Sequence, residues 1–326
     1  MSENNPPKIG LALGSGSARG WAHIGVIQAL EEANIPIHCI AGCSIGALAG
    51  AIYASGNLDR LSDLAPNLDW RKISSFFDLV FPKSGLVNGK KVARFVRDHI
   101  RETNIEDLPI RFCAVATDLD TGEEVHLVEG DIIEAVRASI SVPGVFTPVK
   151  IGDRCLIDGG MANPLPVNVA REMGADFVIA VDINHDIVTK KGVSRTTRFE
   201  RRTEIRKERR RKRLEKAFGG NTKLVEALND RIESLGLPRA RRIRPGKEKT
   251  PNIFDVLTTA VNIMEARITA ARLAFEPADL LIQPDMSPIR FLEFHRAQEA
   301  IDAGYAATKE RMGEIEILLG KPDSTP

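Results

Sequence analysis

Cysteine is scarce in this chain of 326 residues. The four thiols, Cys39, Cys43, Cys113 and Cys155, form no Cys-x-x-Cys pair, and three of them sit in apolar, strand-like runs. That usage argues against a disulfide framework or a zinc site and fits buried free thiols in a reducing compartment. Residues Met1–Lys8 are polar and contain prolines, without the apolar core of a secretory signal. The expected location is therefore cytoplasmic. Long uninterrupted apolar stretches are missing too. Ala33–Leu58 carries no Lys, Arg, Asp or Glu, but Pro36, four glycines and the polar Asn34, His38, Ser44 and Ser55 interrupt it. Such a pattern suits a buried strand, a turn and a core helix better than a membrane span.

An excess of charge of either sign is absent, the formal net charge being +1. The balance conceals two opposite parts. Asn184–Thr250 holds 22 Lys and Arg against 9 Asp and Glu, a surplus of +13 that leaves −12 on the remainder. The segment therefore reads separately, as a charged insertion at 186–250. It separates a core at 9–185 from a part at 251–318 that completes the same domain, with disordered ends at 1–8 and 319–326. Arg201–Lys216 mixes acidic and basic residues around Arg209-Arg210-Arg211-Lys212-Arg213. One reading is a solvated, partly helical insertion. The other is attraction to anionic phospholipid headgroups, which would hold the protein peripherally on the inner face of a membrane. Nucleic acid is disfavoured, because the segment is poor in the aromatic side chains that stack on bases. The sequence leaves an oligomer open.

What is present is an alternation of short apolar runs and helical patterns. Ile9–Leu13 reads as a buried strand ending in Gly14-Ser15-Gly16-Ser17-Ala18-Arg19-Gly20, followed by a helix to about Ala33. A second strand is expected at Ile37–Ala41, then a turn and a helix over Ile45–Ala54. This βαβ order implies a sheet that is at least partly parallel. Further expectations are a helix over Lys91–Ile100, a hairpin from Arg111–Thr117 and Val125–Val128, and a helix over Ile132–Ser139. An irregular stretch with Pro143 and Pro148 follows, then a strand at Cys155–Ile157. A helix from Pro164 and Pro166 to Met173 and a strand at Phe177–Val181 come next. Beyond the charged segment the pattern gives a helix over Asp255–Phe275, a strand at Leu280–Gln283 and a last helix over Phe291–Met312.

Three loops carry chemistry. Gly42-Cys43-Ser44-Ile45-Gly46 places a serine between two glycines at a strand-to-helix turn, a pattern that exposes a nucleophilic hydroxyl. The Gly14–Gly20 loop can offer backbone N–H groups to an oxyanion. Asp158-Gly159-Gly160 supplies a carboxylate able to take the serine proton. An aspartate of ordinary pKa near 4 is a weak base, so Asp158 is expected to be buried beside Ser44. In a parallel sheet, loops leaving strand carboxyl ends converge, which argues for one site. Singly, each loop has a plainer reading: a packing turn, a tight turn, or a pyrophosphate cradle.

Together these motifs resemble those of the patatin-like phospholipases, in particular the compact bacterial members. Gly14–Gly20 is similar to the family's oxyanion motif with Arg19-Gly20 intact, although Ser15-Gly16-Ser17 stands where three consecutive glycines are usual. Gly42–Gly46 matches the nucleophile motif. Ala138-Ser139-Ile140-Ser141-Val142-Pro143, with Phe146 and Pro148, resembles the block before the acid, and Asp158-Gly159-Gly160 matches the acid motif. The likeness runs from Ile9 to Ile183. It implies a three-layer α/β/α fold with a mainly parallel sheet, and a hydrolase of lipid esters with a Ser44–Asp158 dyad. It also implies oxyanion donors in Ser15, Gly16 and Ser17, and no metal or cofactor. The rival readings are a Ser-His-Asp hydrolase with His295 as the late histidine, a nicotinamide-binding oxidoreductase, and a non-catalytic lipid-binding regulator. His23 is expected to pack or to support the loop. The second strand ends in Ile40-Ala41-Gly42, without the carboxylate that would hold a cofactor ribose.

Overall fold

The computed structural model describes residues 7–57, 89–189 and 253–319. The described residues belong to one compact body. Residues 190–252, which hold nearly all of the expected insertion and its charged run, lie outside the described residues, as do most of the expected disordered ends.

The body opens with Ile9–Leu13 (β1), Ala22–Glu32 (α1), Cys39–Cys43 (β2) and Ile45–Ala54 (α2). Lys90–His99 (α3), Arg111–Asp118 (β3), Glu124–Leu127 (β4) and Ile132–Ser139 (α4) follow. Then come Val149–Ile151 (β5), Arg154–Asp158 (β6), Val167–Glu172 (α5) and Phe177–Val181 (β7). After the undescribed segment, Ile253–Phe275 (α6), Leu280–Ile282 (β8), Ala297–Glu310 (α7) and Met312–Leu318 (α8) complete it.

The strands form one sheet in which β3, β2, β1, β7 and β8 are parallel neighbours in that order. β4 and β6 pair antiparallel with β3, and β5 pairs antiparallel with β6. Alternate residues of a strand point to opposite faces, and here the two faces differ in size. Ile9, Leu11, Leu13, Ile40, Phe112, Ile179 and Val181 pack with α1, α2, α4 and α7. On the other face Ala12, Cys39, Ala41, Cys43, Cys113 and Ala180 lie against α5 and the flank of α6. Helices thus cover both faces, giving three layers. Cys39, Cys43 and Cys113 are buried free thiols, used as small apolar side chains.

The register of β3 decides where the site falls. Residues 114–117 of β3 pair with β4 along one edge. Along the other edge β2 pairs as far as Cys43↔Val115, and β6 takes over at Asp158↔Ala116. A residue has only two edges, so β2 and β6 share one and meet carboxyl end to carboxyl end. The convergence expected from a parallel sheet is therefore achieved differently for Asp158. β6 runs against β3, and head-to-head abutment brings its end to the end of β2.

Three expectations need correction. The stretch expected to be irregular because of Pro143 and Pro148 contains β5, which closes a hairpin with β6 over Gly152, whose φ is 60°. The last helix does not run unbroken over Phe291–Met312. It begins at Ala297 after a 3-10 turn, because the Phe291 carbonyl accepts the Ala18 N–H at 3.0 Å. The chain there braces the glycine loop instead of winding. The second strand also ends two residues later than expected, at Cys43, so Ser44 follows it without a linker.

Candidate active site

Ser44 stands between β2 and α2 with φ 54° and ψ −121°. A residue with a Cβ holds such a conformation at a cost of roughly 1–3 kcal/mol, so the surroundings must impose it. They do so by crowding and by one hydrogen bond. A Cβ on Gly46 would lie 2.2 Å from the Leu13 carbonyl oxygen, so α2 can start this close to β1 only with glycine there. The Ser44 N–H donates to Ser139 Oγ at 2.9 Å, and Ser139 Oγ donates in turn to the Val115 carbonyl at 2.6 Å. The block before the acid thereby anchors the serine turn. It anchors the acid as well, because the Asp158 N–H donates to the Ser141 carbonyl at 3.0 Å.

Ser44 Oγ donates to Asp158 Oδ2 at 2.6 Å. The other carboxylate oxygen, Oδ1, accepts the Gly160 N–H at 2.7 Å, which fixes the plane of the group. Gly159 seats the end of β6 against β3, since a Cβ there would lie 2.2 Å from the Val115 carbonyl oxygen. Asp158 has no exposed surface. Burial pushes its pKa up to about 7, against the opposing pull of the bonds from Ser44 and Gly160. A carboxyl of that kind is a far stronger base than a solvated aspartate.

The Gly14–Gly20 loop leaves β1 beside this pair. The Gly14 N–H donates to Val181 and the Ser15 N–H to Pro164, so both are engaged within the protein. Among the described residues the Gly16 and Ser17 N–H groups donate to no protein acceptor. Ser17 has φ 51°, where a glycine would sit without strain. The Gly20 Cα faces Ile45, the first residue of α2, so closely that a Cβ would meet its side chain at 2.1 Å. The loop and the serine turn are thus packed together. Arg19 donates from Nε to the Ile289 carbonyl at 3.0 Å and from Nη1 to Asn184 Oδ1 at 3.2 Å. It is a brace for the loop.

Three residues that sequence reasoning did not assign to the site lie against it. Asn184, just past β7, donates to the Ser15 carbonyl at 2.9 Å. Ser139 holds the nucleophile turn as described. Glu265 of α6, 2 % exposed, accepts the Ser15 hydroxyl at 3.0 Å. A Cβ on Gly160 would meet Glu265 Oε1 at 2.3 Å and Asp158 Oδ1 at 3.0 Å, so the two carboxyls flank the Gly160 Cα. Burial, then the charge of Asp158, push the Glu265 pKa up to about 8. A signal existed: Thr258, Asn262, Glu265 and Thr269 form a polar stripe at helical spacing.

The histidines play no part between the dyad members. A triad requires an imidazole between serine and carboxylate, and the direct 2.6 Å bond leaves no room for one. His295 is exposed on the turn Phe294–Arg296. His23 is fully buried, and its Nε2 lies 2.8 Å from the Gly14 carbonyl oxygen. A carbonyl only accepts, so Nε2 carries the hydrogen. Burial lowers the His23 pKa to about 4, and it pins the loop as a neutral ring.

A strained serine at a strand-to-helix turn, bonded to a buried carboxylate beside unengaged backbone donors, is an arrangement of the kind that serine hydrolases use. The family description "Patatin-like phospholipase" matches residues 11–171. An NTE family protein of Mycobacterium tuberculosis is 35% identical over 96% of this chain and 94% of its own length. The neuropathy target esterase sws of Drosophila melanogaster is 36% identical over 54% of this chain and 13% of its own. Among solved structures, VipD from Legionella pneumophila covers 99% of this chain and 81% of its own at 14% identity and a TM-score of 0.37, too distant to bear on the site. The chain belongs to the patatin-like phospholipase family, alongside the NTE family proteins, and so to a family of lipid-ester hydrolases.

Proposed function

We propose that the protein hydrolyses acyl esters of phospholipids or lysophospholipids through Ser44 and Asp158, by way of an acyl-enzyme. The observation that carries this reading is the 2.6 Å bond from Ser44 Oγ to a buried Asp158. Asp158 Oδ2 takes the hydroxyl proton as Ser44 Oγ attacks the ester carbonyl. The tetrahedral oxyanion is met by the Gly16 and Ser17 N–H groups, each worth about 3 kcal/mol in the transition state. Ser15 contributes through its side chain, holding the loop against Glu265, since its own N–H is engaged with Pro164. As the intermediate collapses, the proton passes from Asp158 to the departing alcohol. Water then attacks the acyl-enzyme with Asp158 again as base, and the fatty acid leaves. No step calls for a metal or cofactor.

The body is the catalytic domain in this reading, and 186–250 is an insertion that draws the protein to anionic lipid through its positive charge. Among the described residues no helix is long and apolar enough to cross a membrane. Fluorophosphonate labelling tests the nucleophile, and fatty-acid release from a lipid panel tests the substrate class. Wild type should label and turn over, whereas Ser44→Ala should do neither. Equal labelling of the two proteins refutes the assignment.

A further inference from the structure

Helix α6 is built inside out. Among its described side chains the buried ones are Thr258, Asn262, Glu265, Ala266 and Thr269, four of the five polar. Its solvent side carries Val256, Leu257, Ile263, Met264 and Phe275, exposed by 42 to 87 %. Thr259, Ala260, Ala270, Ala271 and Ala274 continue that side, and among the described side chains Arg267 is the one exposed charge on it. A surface helix normally does the reverse. The inner polarity has a use, because Glu265 meets Ser15 and flanks Gly160. Arg272 fastens the far end, pairing with Glu124 at 3.2 Å and donating to the Ala162 carbonyl at 3.4 Å. Among the described residues the outer apolarity has no such use.

We infer that the outward face of α6, centred on Ile263 and Met264, is the surface by which the protein rests on a lipid layer. The inference builds on the lipid-ester reading above. Charge favours lipid as the occupant: the sequence enters α6 directly from the segment with 22 Lys and Arg against 9 Asp and Glu, complementary to anionic headgroups. Placement favours it too. The helix is about 10 Å thick, so a lipid surface on its outer side would lie about one helix diameter from Glu265 and the dyad. With Glu265, Arg267 and Arg272 within it, α6 would lie in the interface and not cross it.

The test uses the full chain carrying Ser44→Ala, so that binding is read without turnover. Sedimentation with phosphatidylcholine vesicles containing phosphatidylglycerol is measured at low salt and at about 1 M salt, where charges are screened within ~3 Å. Binding should survive the salt in part. Adding Ile263→Gln and Met264→Gln should weaken the salt-resistant part about a hundredfold, tenfold for each apolar side chain removed. With Ser44 restored, the double variant should hydrolyse a monomeric short-chain ester as wild type does. Unaltered salt-resistant binding overturns the inference, as does binding that salt abolishes altogether. A wild-type dimer that the double variant converts to monomer, with vesicle binding unchanged, assigns the face to a second copy instead. Failure of the hydrolase reading would show separately, as no turnover of the short-chain ester by wild type.

Discussion

Replacing Asp158 by Asn should raise stability while abolishing activity, and the gain should depend on pH. The unfolded chain releases the Asp158 proton near its ordinary value of 3.8, whereas the folded protein holds it to about 7. Between those values the folded state binds more protons, so its stability falls as pH rises. Above about pH 7 the whole cost is present. The two values stand roughly three pH units apart, and at about 1.36 kcal/mol per unit the cost has a ceiling of ~4 kcal/mol. Asn keeps the shape, accepts from Gly160 and donates to Ser44 Oγ, so little bonding is lost. It carries no charge to bury. Urea unfolding of Asp158→Asn and wild type should therefore coincide near pH 4 and separate by a few kcal/mol near pH 8. Hydrolysis should fall by at least about 10²–10⁴, the usual worth of a positioned base. A stability difference of one size at both pH values, or a variant less stable at about pH 8, would refute the reasoning that burial sets the basicity of this carboxyl.

Other expectations follow from the same geometry. In wild type, kcat/KM should drop tenfold per unit below about pH 7, because Asp158 must be ionised to accept the proton. Glu265→Gln should retain hydrolysis and that acid limb, since the amide oxygen still accepts from Ser15; urea titration should find it more stable than wild type near pH 8 and equal near pH 4. Glu265→Ala should lower kcat by loosening the loop, so equal rates for the two variants would remove Glu265 from the site. Gly46→Ala should destabilise by about 3 kcal/mol, measured by denaturant midpoint, as its methyl meets the Leu13 carbonyl. His295→Ala should leave ester turnover intact; its loss without unfolding would revive the triad.

The local pattern of the chain carried much of the site. Continuous apolar runs at Ile9–Leu13 and Phe177–Val181 and the uncharged Ile45–Ala54 are buried on both sides or nearly so, and such segments read correctly because burial constrains every position. The three loops were legible because glycines mark places where backbone approaches backbone. β5 was not, since three residues after two prolines hold no period of their own and exist by pairing with β6.

The sequence by itself picked out the candidate groups: a hydroxyl at 44, a carboxylate at 158 and a glycine loop to face them. Only the tertiary structure decided how these meet. β2 and β6 abut head to head on one edge of β3, a register set by side chains distant in the chain and invisible to any local period. It alone also revealed that Ser15 is closed off by Pro164 and Glu265, because a hydrogen bond spanning 250 residues leaves no trace in spacing.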